Sequence, residues 1–474
     1  MKRTLVWLRN DLRVHDNLPL FEACNLGEVL PVYCFDPLQF KKSTFGFNKT
    51  GPFRSQFLLE TVQNLRDSLM ELGGNLVIRH GNPIEELSNL VQEHNIDQVF
   101  VQKEFTNEEV KLEDGLREAL NITIKFFWGS TLYHINDLEF SKESIPDVFS
   151  IFRKTIEKTS NIRELVFPSN GIKLISGVDI GTIPGLVDLG VEEKSINSKS
   201  VLQFKGGETE ALERLKEYIW DRDLLKNYKF TRNGMLGADY SSKFSPWLAN
   251  GSLSPRKIFW EVKKYERDRI QNESTYWLIF ELIWRDYFKF SAWKYGARIF
   301  QKGGIQKKDR LWRTNRKDFD KWAKGETGIP LIDANMRELN ETGFISNRGR
   351  QNVVSFLAQN LNIDWRMGAE YFECLLLDYD PCSNYGNWAY NATVGHDPRN
   401  RYFNILNQAE RYDKTGEYVR YWLPELKHIP KEFVHKPHTI PPDQQKLYDI
   451  QVGIDYPKPI IDLEKSYEEI KNRE

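Results

Sequence analysis

Apolar and polar positions alternate along this chain in two different ways, and the change falls near residue 206. Before it, short β-branched runs recur at Thr4–Leu8, Val29–Phe35, Asn75–Arg79, Gln98–Gln102 and Ile122–Phe127. Between them lie stretches with helical spacing, such as Phe57, Leu58, Val62, Leu65, Leu69 and Leu72. Asn82-Pro83 adds a cap followed by proline at the first helical position. Strand–helix alternation of this kind predicts an α/β domain over residues 1–130, with a doubly wound parallel sheet. From 131 to 205 the periodicity weakens, and Ser195-Ile-Asn-Ser-Lys-Ser200 has the composition of a linker. A long connection wrapping one domain onto the other, with short ordered pieces, is expected there. From 206 to 474 the pattern is helical. Gly206-Gly207 precedes a helix expected to reach about Leu225, and Ser254-Pro255 opens another. Tyr276–Trp293 makes a long aromatic-rich helix, and Pro330 starts one with Ile332, Met336 and Leu339 on its core face. The second half is therefore expected to be all-α.

Polar chemistry is densest late in that half. An apolar run (Tyr371, Phe372, Leu375, Leu376, Leu377) leads into Asp378-Tyr-Asp-Pro-Cys-Ser-Asn-Tyr-Gly-Asn-Trp388. Pro381 predicts that the helix ends there, with Asp378 and Asp380 where it opens into a polar turn, and Asn384 and Trp388 following on that turn. Upstream, Asn347, Arg348 and Arg350 come just after a helix that Gly343 closes. Carboxylates, a carboxamide and arginines converging among aromatics need a flat, polar partner, since such groups are costly when buried unpaired. The alternative is a satisfied polar core. Ser241-Ser-Lys-Phe-Ser245 stands ahead of an apolar helix start, as an anion site or an ordinary N-cap. Glu281 and Arg285 lie i, i+4 on a helix that also carries Trp277 and Trp284. Exposed, they would be a weak solvated pair, but their apolar neighbours argue for burial.

Composition narrows the class. The chain has 474 residues, a formal net charge of −1, 13% aromatic residues and thirteen tryptophans. A polyanion site must then be a local patch. Lys302–Lys317 supplies one candidate, with seven basic residues against one aspartate and Trp312 among them. Four cysteines without metal-ligand spacing suit a reduced, intracellular setting. No apolar run approaches the ~20 residues of a membrane span, so a soluble protein is expected. It is also expected to be a monomer. The first strand–helix turn, Arg9-Asn-Asp-Leu-Arg-Val-His-Asp16, has no glycine for a pyrophosphate, which removes the nicotinamide-dinucleotide reading.

Several motifs together resemble, in order and spacing, the FAD-binding half of the photolyase/cryptochrome family. They are Thr327-Gly-Ile-Pro-Leu-Ile-Asp-Ala-Asn-Met-Arg337, Asn347-Arg-Gly-Arg350, Ile363-Asp-Trp-Arg366, Asp378-Tyr-Asp380, Asn384 and Tyr421-Trp-Leu-Pro-Glu425. Trp7–Asp16 and Gly395-His-Asp-Pro-Arg-Asn-Arg-Tyr-Phe-Asn404 are similar to the DASH branch. The resemblance implies FAD, with Ser241, Ser242, Lys243 (through its backbone), Phe244 and Ser245 around its pyrophosphate and Tyr228 close by. Glu281 and Arg285 would flank the adenine and phosphates. Asn347, Arg350, Asp378, Asp380 and Asn384 would surround the isoalloxazine ring, with Arg350 and Asp378 ion-paired and Asn384 facing N5. Trp388, Trp365 and Trp312 would relay electrons to the surface, unless they are simply core. Trp284, Gln351, Tyr390, Arg348 and Arg399 would meet DNA. Glu104 and Glu108, after the strand Gln98–Gln102, would hold an antenna, 5,10-methenyltetrahydrofolate, between the domains. The function implied is light-driven splitting of cyclobutane pyrimidine dimers, with single-stranded DNA preferred because Gln351 and Tyr390 replace methionine and tryptophan of the double-strand enzymes. The rival is a blue-light receptor. It is weakened because only about 45 residues follow Pro430, where signalling relatives carry a long extension.

Overall fold

Burial on both faces explains why the first half forms a parallel sheet. In the computed structural model, which describes residues 1–168, 171–396 and 402–473, five strands run in the order β3-β2-β1-β4-β5, all parallel. They are β1 (Lys2–Leu8), β2 (Gly27–Phe35), β3 (Val77–His80), β4 (Gln98–Gln102) and β5 (Thr123–Phe127). Helices α1 (Leu18–Leu26), α2 (Pro52–Glu71), α3 (Pro83–Glu93) and α4 (Asn107–Ala119) connect them. Val6, Leu8, Val29 and Phe100 point to one face, against Leu20 of α1 and Val62, Leu65 and Leu69 of α2. Their neighbours Leu5, Trp7, Leu30 and Val99 point to the other, against Leu87 and Leu90 of α3 and Leu116 of α4. Two buried faces make near-continuous apolar runs. The strand order reverses between β1 and β4, which opens a crevice at their carboxyl ends.

The stretch from 131 to 205 carries α5 (Phe149–Thr159) and then returns along the sheet. Val29 and Ile78 donate backbone N–H groups to the carbonyls of Lys173 and Ile180, each at 2.8 Å. Asn197 N–H then reaches the carbonyl of Glu341 in the other half at 3.0 Å.

The helical half contains α6 (Glu208–Lys216), α7 (Tyr228–Thr231), α8 (Ser245–Ala249), α9 (Pro255–Asp268), α10 (Glu273–Tyr295), α11 (Arg316–Lys324), α12 (Pro330–Thr342), α13 (Asn347–Ser355), α14 (Trp365–Leu375) and α15 (Pro381–Asn391), with further helices after residue 404. Two expectations need correction here. The helix after Gly207 is α-helical only to Lys216 and ends at Asp221, short of Leu225. A wider turn over Glu217–Asp221 follows, and both Tyr218 and Ile219 are buried in it. The segment after Asp380 is helix rather than a polar turn. Pro381 sits at its first position, where a missing N–H costs nothing, and the Asp380 carboxylate caps it by accepting from Ser383 N–H at 2.7 Å.

The glycine-free loop after β1 fastens the halves together. The Asp16 carboxylate, fully buried, accepts from Arg256 Nε and Nη2 of α9 at 2.9 and 2.7 Å. Glu208 accepts from the N–H groups of Val14 and His15 at 2.6 and 3.0 Å. Gly251 takes φ +74°, and a Cβ there would lie 1.9 Å from the carbonyl oxygen of Asn10, so the close approach requires glycine.

Candidate functional site

Four helices and one loop bring the late polar cluster together. Arg350 of α13 donates from Nη2 to Asp378 Oδ2 at 2.8 Å, and Ser245 Oγ, at the start of α8, donates to the same oxygen at 2.6 Å. Asp378 Oδ1 is buried with no hydrogen-bond partner. An orphaned carboxylate oxygen of this kind is costly, and the N–H or O–H donors of a flavin and its ribityl chain fit it. Asp380 forms a buried ion pair with Lys289 of α10 at 2.8 Å, which holds its carboxyl down at about 2 against the opposing effect of burial. Asn384 of α15 donates from Nδ2 to the carbonyl of Ala369 at 3.0 Å, so its oxygen is the atom left to accept. Asn347 is exposed at the first position of α13.

The 241–245 loop turns sharply at Lys243, a left-handed residue at φ +58°. The Lys243 ammonium is buried, lies 3.3 Å from the centre of the Tyr240 ring and donates to the carbonyl of Ala238 at 3.1 Å. Burial drives its pKa down to about 6. With that side chain turned inward, only the backbone of Lys243 is free for a ligand. Ser242 and Phe244 are buried, and Tyr228 is buried at the start of α7. Arg214 of α6, which the sequence analysis passed over, ties the loop by donating to the carbonyls of Ser242 and Ala238, each at 3.1 Å. Its signal was an arginine between Ala211 and Leu215 on the buried face of α6. Glu281 and Arg285 are not partners of each other. Glu281 pairs with Arg232, while Arg285 donates to the carbonyls of Ser130 and Leu248. One helical turn put them within reach, but partners from other elements took both.

The indoles gather along α14. A Cβ on Gly368 would lie 2.1 Å from Cη2 of Trp388, which sets that ring one turn along α14 from Trp365. Arg313 bridges to Ile363 just before α14, which sets the backbone next to Trp312 beside the start of that helix, and Trp312 is buried in the same core as Trp365 and Trp388. Trp388 also meets Trp322 edge-on, with centroids 6.1 Å apart. Trp322 was not among the expected indoles.

Trp284 of α10 and Tyr390 of α15 meet edge-to-face at 6.3 Å, and Phe149 of α5 stacks on Trp284 at 3.5 Å and 10°. Gln351 accepts from Arg348 Nη1 at 2.7 Å, and Arg348 Nη2 donates to Asn233 at 3.0 Å. Arg399 lies outside the described residues. The basic run is only partly available. Arg310 donates inward to the carbonyl of Ala358 at 2.9 Å and to Asn362, and burial lowers its pKa to about 10. Glu104 and Glu108 part company at the crevice. Glu104 is buried and pushed up to about 7 by burial, whereas Glu108 is exposed at the start of α4, paired with Lys49. Among the described residues, no helix is long and apolar enough to cross a membrane, and no cluster could hold a metal ion.

Comparison with known proteins covers both halves. The sequence model for the FAD binding domain of DNA photolyase matches residues 277–473, and that for DNA photolyase matches 4–169. A Cryptochrome DASH of Gloeobacter violaceus is 53% identical over 98% of this chain and 94% of its own. The crystal structure of a Synechocystis sp. cryptochrome superposes with a TM-score of 0.97 at 48% identity, covering 100% of this chain and 99% of that one. A bacterial class III photolyase from Agrobacterium tumefaciens superposes with a TM-score of 0.85 at 28% identity, covering 100% and 98%.

Proposed function

This chain belongs to the photolyase/cryptochrome family, and from that premise we propose that it is a blue-light-driven flavoprotein splitting cyclobutane pyrimidine dimers in single-stranded DNA. Bound FAD supplies light absorption and one-electron exchange. The observation that carries the reading is that α10 and α15 each bear two kinds of group. One kind is the polar group of Lys289, the capping Asp380 and Asn384, against which the flavin would lie; the other is the Trp284–Tyr390 pair, where an unpaired base would stack on the ring surface that Phe149 leaves uncovered. Arg350 and Asp378 would stand against the flavin ring, and Asn384 would offer its oxygen to N5–H. Arg348 and Gln351, already joined, would line the approach of the strand.

Preference for single strands follows from stacking. An aromatic contact is worth about 1–3 kcal/mol per base, while extracting a base from a duplex costs a few kcal/mol. Tyr390 and Gln351 offer less stacking area than tryptophan and methionine, so the duplex cost stays uncompensated. A dimer in a single strand has little such cost to meet. At the crevice between β1 and β4, 5,10-methenyltetrahydrofolate is proposed as antenna, with Glu104 or Glu108 pairing its pterin. The test is dimer repair on one oligonucleotide, single-stranded and annealed, under identical illumination. Efficient repair of the single strand and weak repair of the duplex are expected, with binding that falls steeply with salt. Equal rates would sink the strand preference. Repair of neither would favour a second reading, a light receptor working through photoreduction, for which the buried indoles along α14 speak.

A further inference from the structure

Lys289 lies within the apolar run Tyr287-Phe-Lys-Phe-Ser291 of α10 and is 4% exposed. Its ammonium touches both halves of the molecule. It pairs with Asp380 at 2.8 Å and lies 5.2 Å from the centre of the Phe105 ring, just beyond β4. Asp380 spends its other oxygen on the cap of α15, the helix that carries Asn384 and Trp388. The remaining charged or titratable groups around this pair are Arg285 and Asp286 on α10, Cys382 on α15, Glu104 after β4 and Glu109 on α4. Arg285 is committed to the carbonyls of Ser130 and Leu248, and burial raises the Cys382 thiol well above its ordinary range. Burial pushes Glu104 and Asp286 up to about 7, and both carboxyls are present in wild type and in every variant below. Lys289 is thus the cation in direct contact with Asp380.

A buried ion pair is by itself weak evidence for stability, since a matched apolar pair often serves as well. What an apolar pair cannot do is keep a capping carboxylate charged beside a cofactor. We propose that Lys289 is a positioning residue for the flavin site: it holds Asp380 as an anion at the start of α15 and thereby keeps the reduction potential of bound flavin free of an added protonation. The inference rests on the reading that FAD lies against Asp380.

The sign follows from charge. With the pair intact, the two charges cancel and Asp380 stays ionised throughout the working pH range, because its pKa is held at about 2. Without the ammonium, Arg285 and the Ser383 N–H still favour the anion, but burial is opposed less and the pKa rises from its wild-type position. At low pH the carboxyl is then neutral, and the local charge equals that of wild type. At high pH a lone buried anion opposes the addition of an electron to its neighbour.

The experiment is the midpoint potential of protein-bound flavin measured across pH 5.5–9, about the range between the carboxylate and ammonium pKa values, with flavin content and thermal stability recorded for each variant. In Lys289→Met the potential should match wild type at the acid end and fall progressively below it as pH rises. Lys289→Arg should follow wild type, and adding Asp380→Asn to Lys289→Met should restore the wild-type slope. Should Lys289→Met not fold, Asp380→Asn alone, whose amide can still cap α15, leaves a lone ammonium and should raise the potential. Lys289→Met lines parallel to wild type, with only stability lowered, would reduce Lys289 to a structural tie and overturn the inference alone. So would an unchanged potential in Asp380→Asn. A wild-type protein that takes up no flavin would overturn the functional reading together with it.

Discussion

Asn384 shows how a single buried amide can be poised by one hydrogen bond. Its Nδ2 is spent on the carbonyl of Ala369 in α14, and this leaves the oxygen as the end of the side chain free to accept. An aspartate in its place would lose that donor and set a carboxylate oxygen against the carbonyl. Asn384→Asp should therefore cost about 1–3 kcal/mol of stability, the penalty for an unmade buried hydrogen bond. It should also change which reduced form of the flavin accumulates under blue light. Thermal unfolding and absorption spectra during illumination check both parts. An unaltered melting temperature and photoproduct would remove Asn384 from the N5 position.

Among elements, the contact of α14 with α15 has the tightest steric demand. Trp388 lies flush on Gly368, with no room for a methyl group. Gly368→Ala should overpack this contact at about 1–3 kcal/mol and displace the indole from the face of α14. Photoreduction of the oxidised flavin should slow in Gly368→Ala and vanish in Trp388→Phe. On the proposed reading, repair by chemically reduced protein should persist in both, because the relay would lie off the path between flavin and dimer. Bleaching of the flavin under blue light, alongside repair assays after chemical reduction, separates the two roles. Normal bleaching in Trp388→Phe would assign the electron donor elsewhere, with Trp322, edge-on to Trp388, the first to examine.

For the molecule as a whole, the Asp16–Arg256 pair is the buried ion pair among the ties that make two halves one body. Both groups are buried, and Asp16 also accepts from Ser254 Oγ. Arg256→Ala leaves that carboxylate without its cation, a loss of about 3–5 kcal/mol for a broken buried pair. A lower unfolding temperature by calorimetry is expected. The deficit should change little with added salt, since a buried pair is poorly screened. A variant as stable as wild type would show that this pair adds nothing beyond the other ties between the halves, Glu208 with Val14 and His15 among them.

Local pattern was enough to read the architecture from sequence. Strand and helix periods are properties of neighbouring residues, so the five strands, the long α10 and the helix opened by Pro330 were all legible. Arg350, Asp378, Asp380 and Asn384 of the late polar cluster were named from sequence, whereas Lys289, inside an apolar stretch of α10, was not. The Arg350–Asp378 pair was read by resemblance, since nothing local joins positions 28 residues apart. Pro381 misled because proline both ends helices and begins them, and only the cap supplied by Asp380 decides between the two. The tertiary structure decided the partners. Glu281 found Arg232 rather than Arg285, Asp380 found Lys289, and Arg214 found the carbonyls of the 238–242 loop. A buried charge must be met by whatever group folding brings to it. That group is set by how helices pack, which the spacing of residues along the chain does not carry.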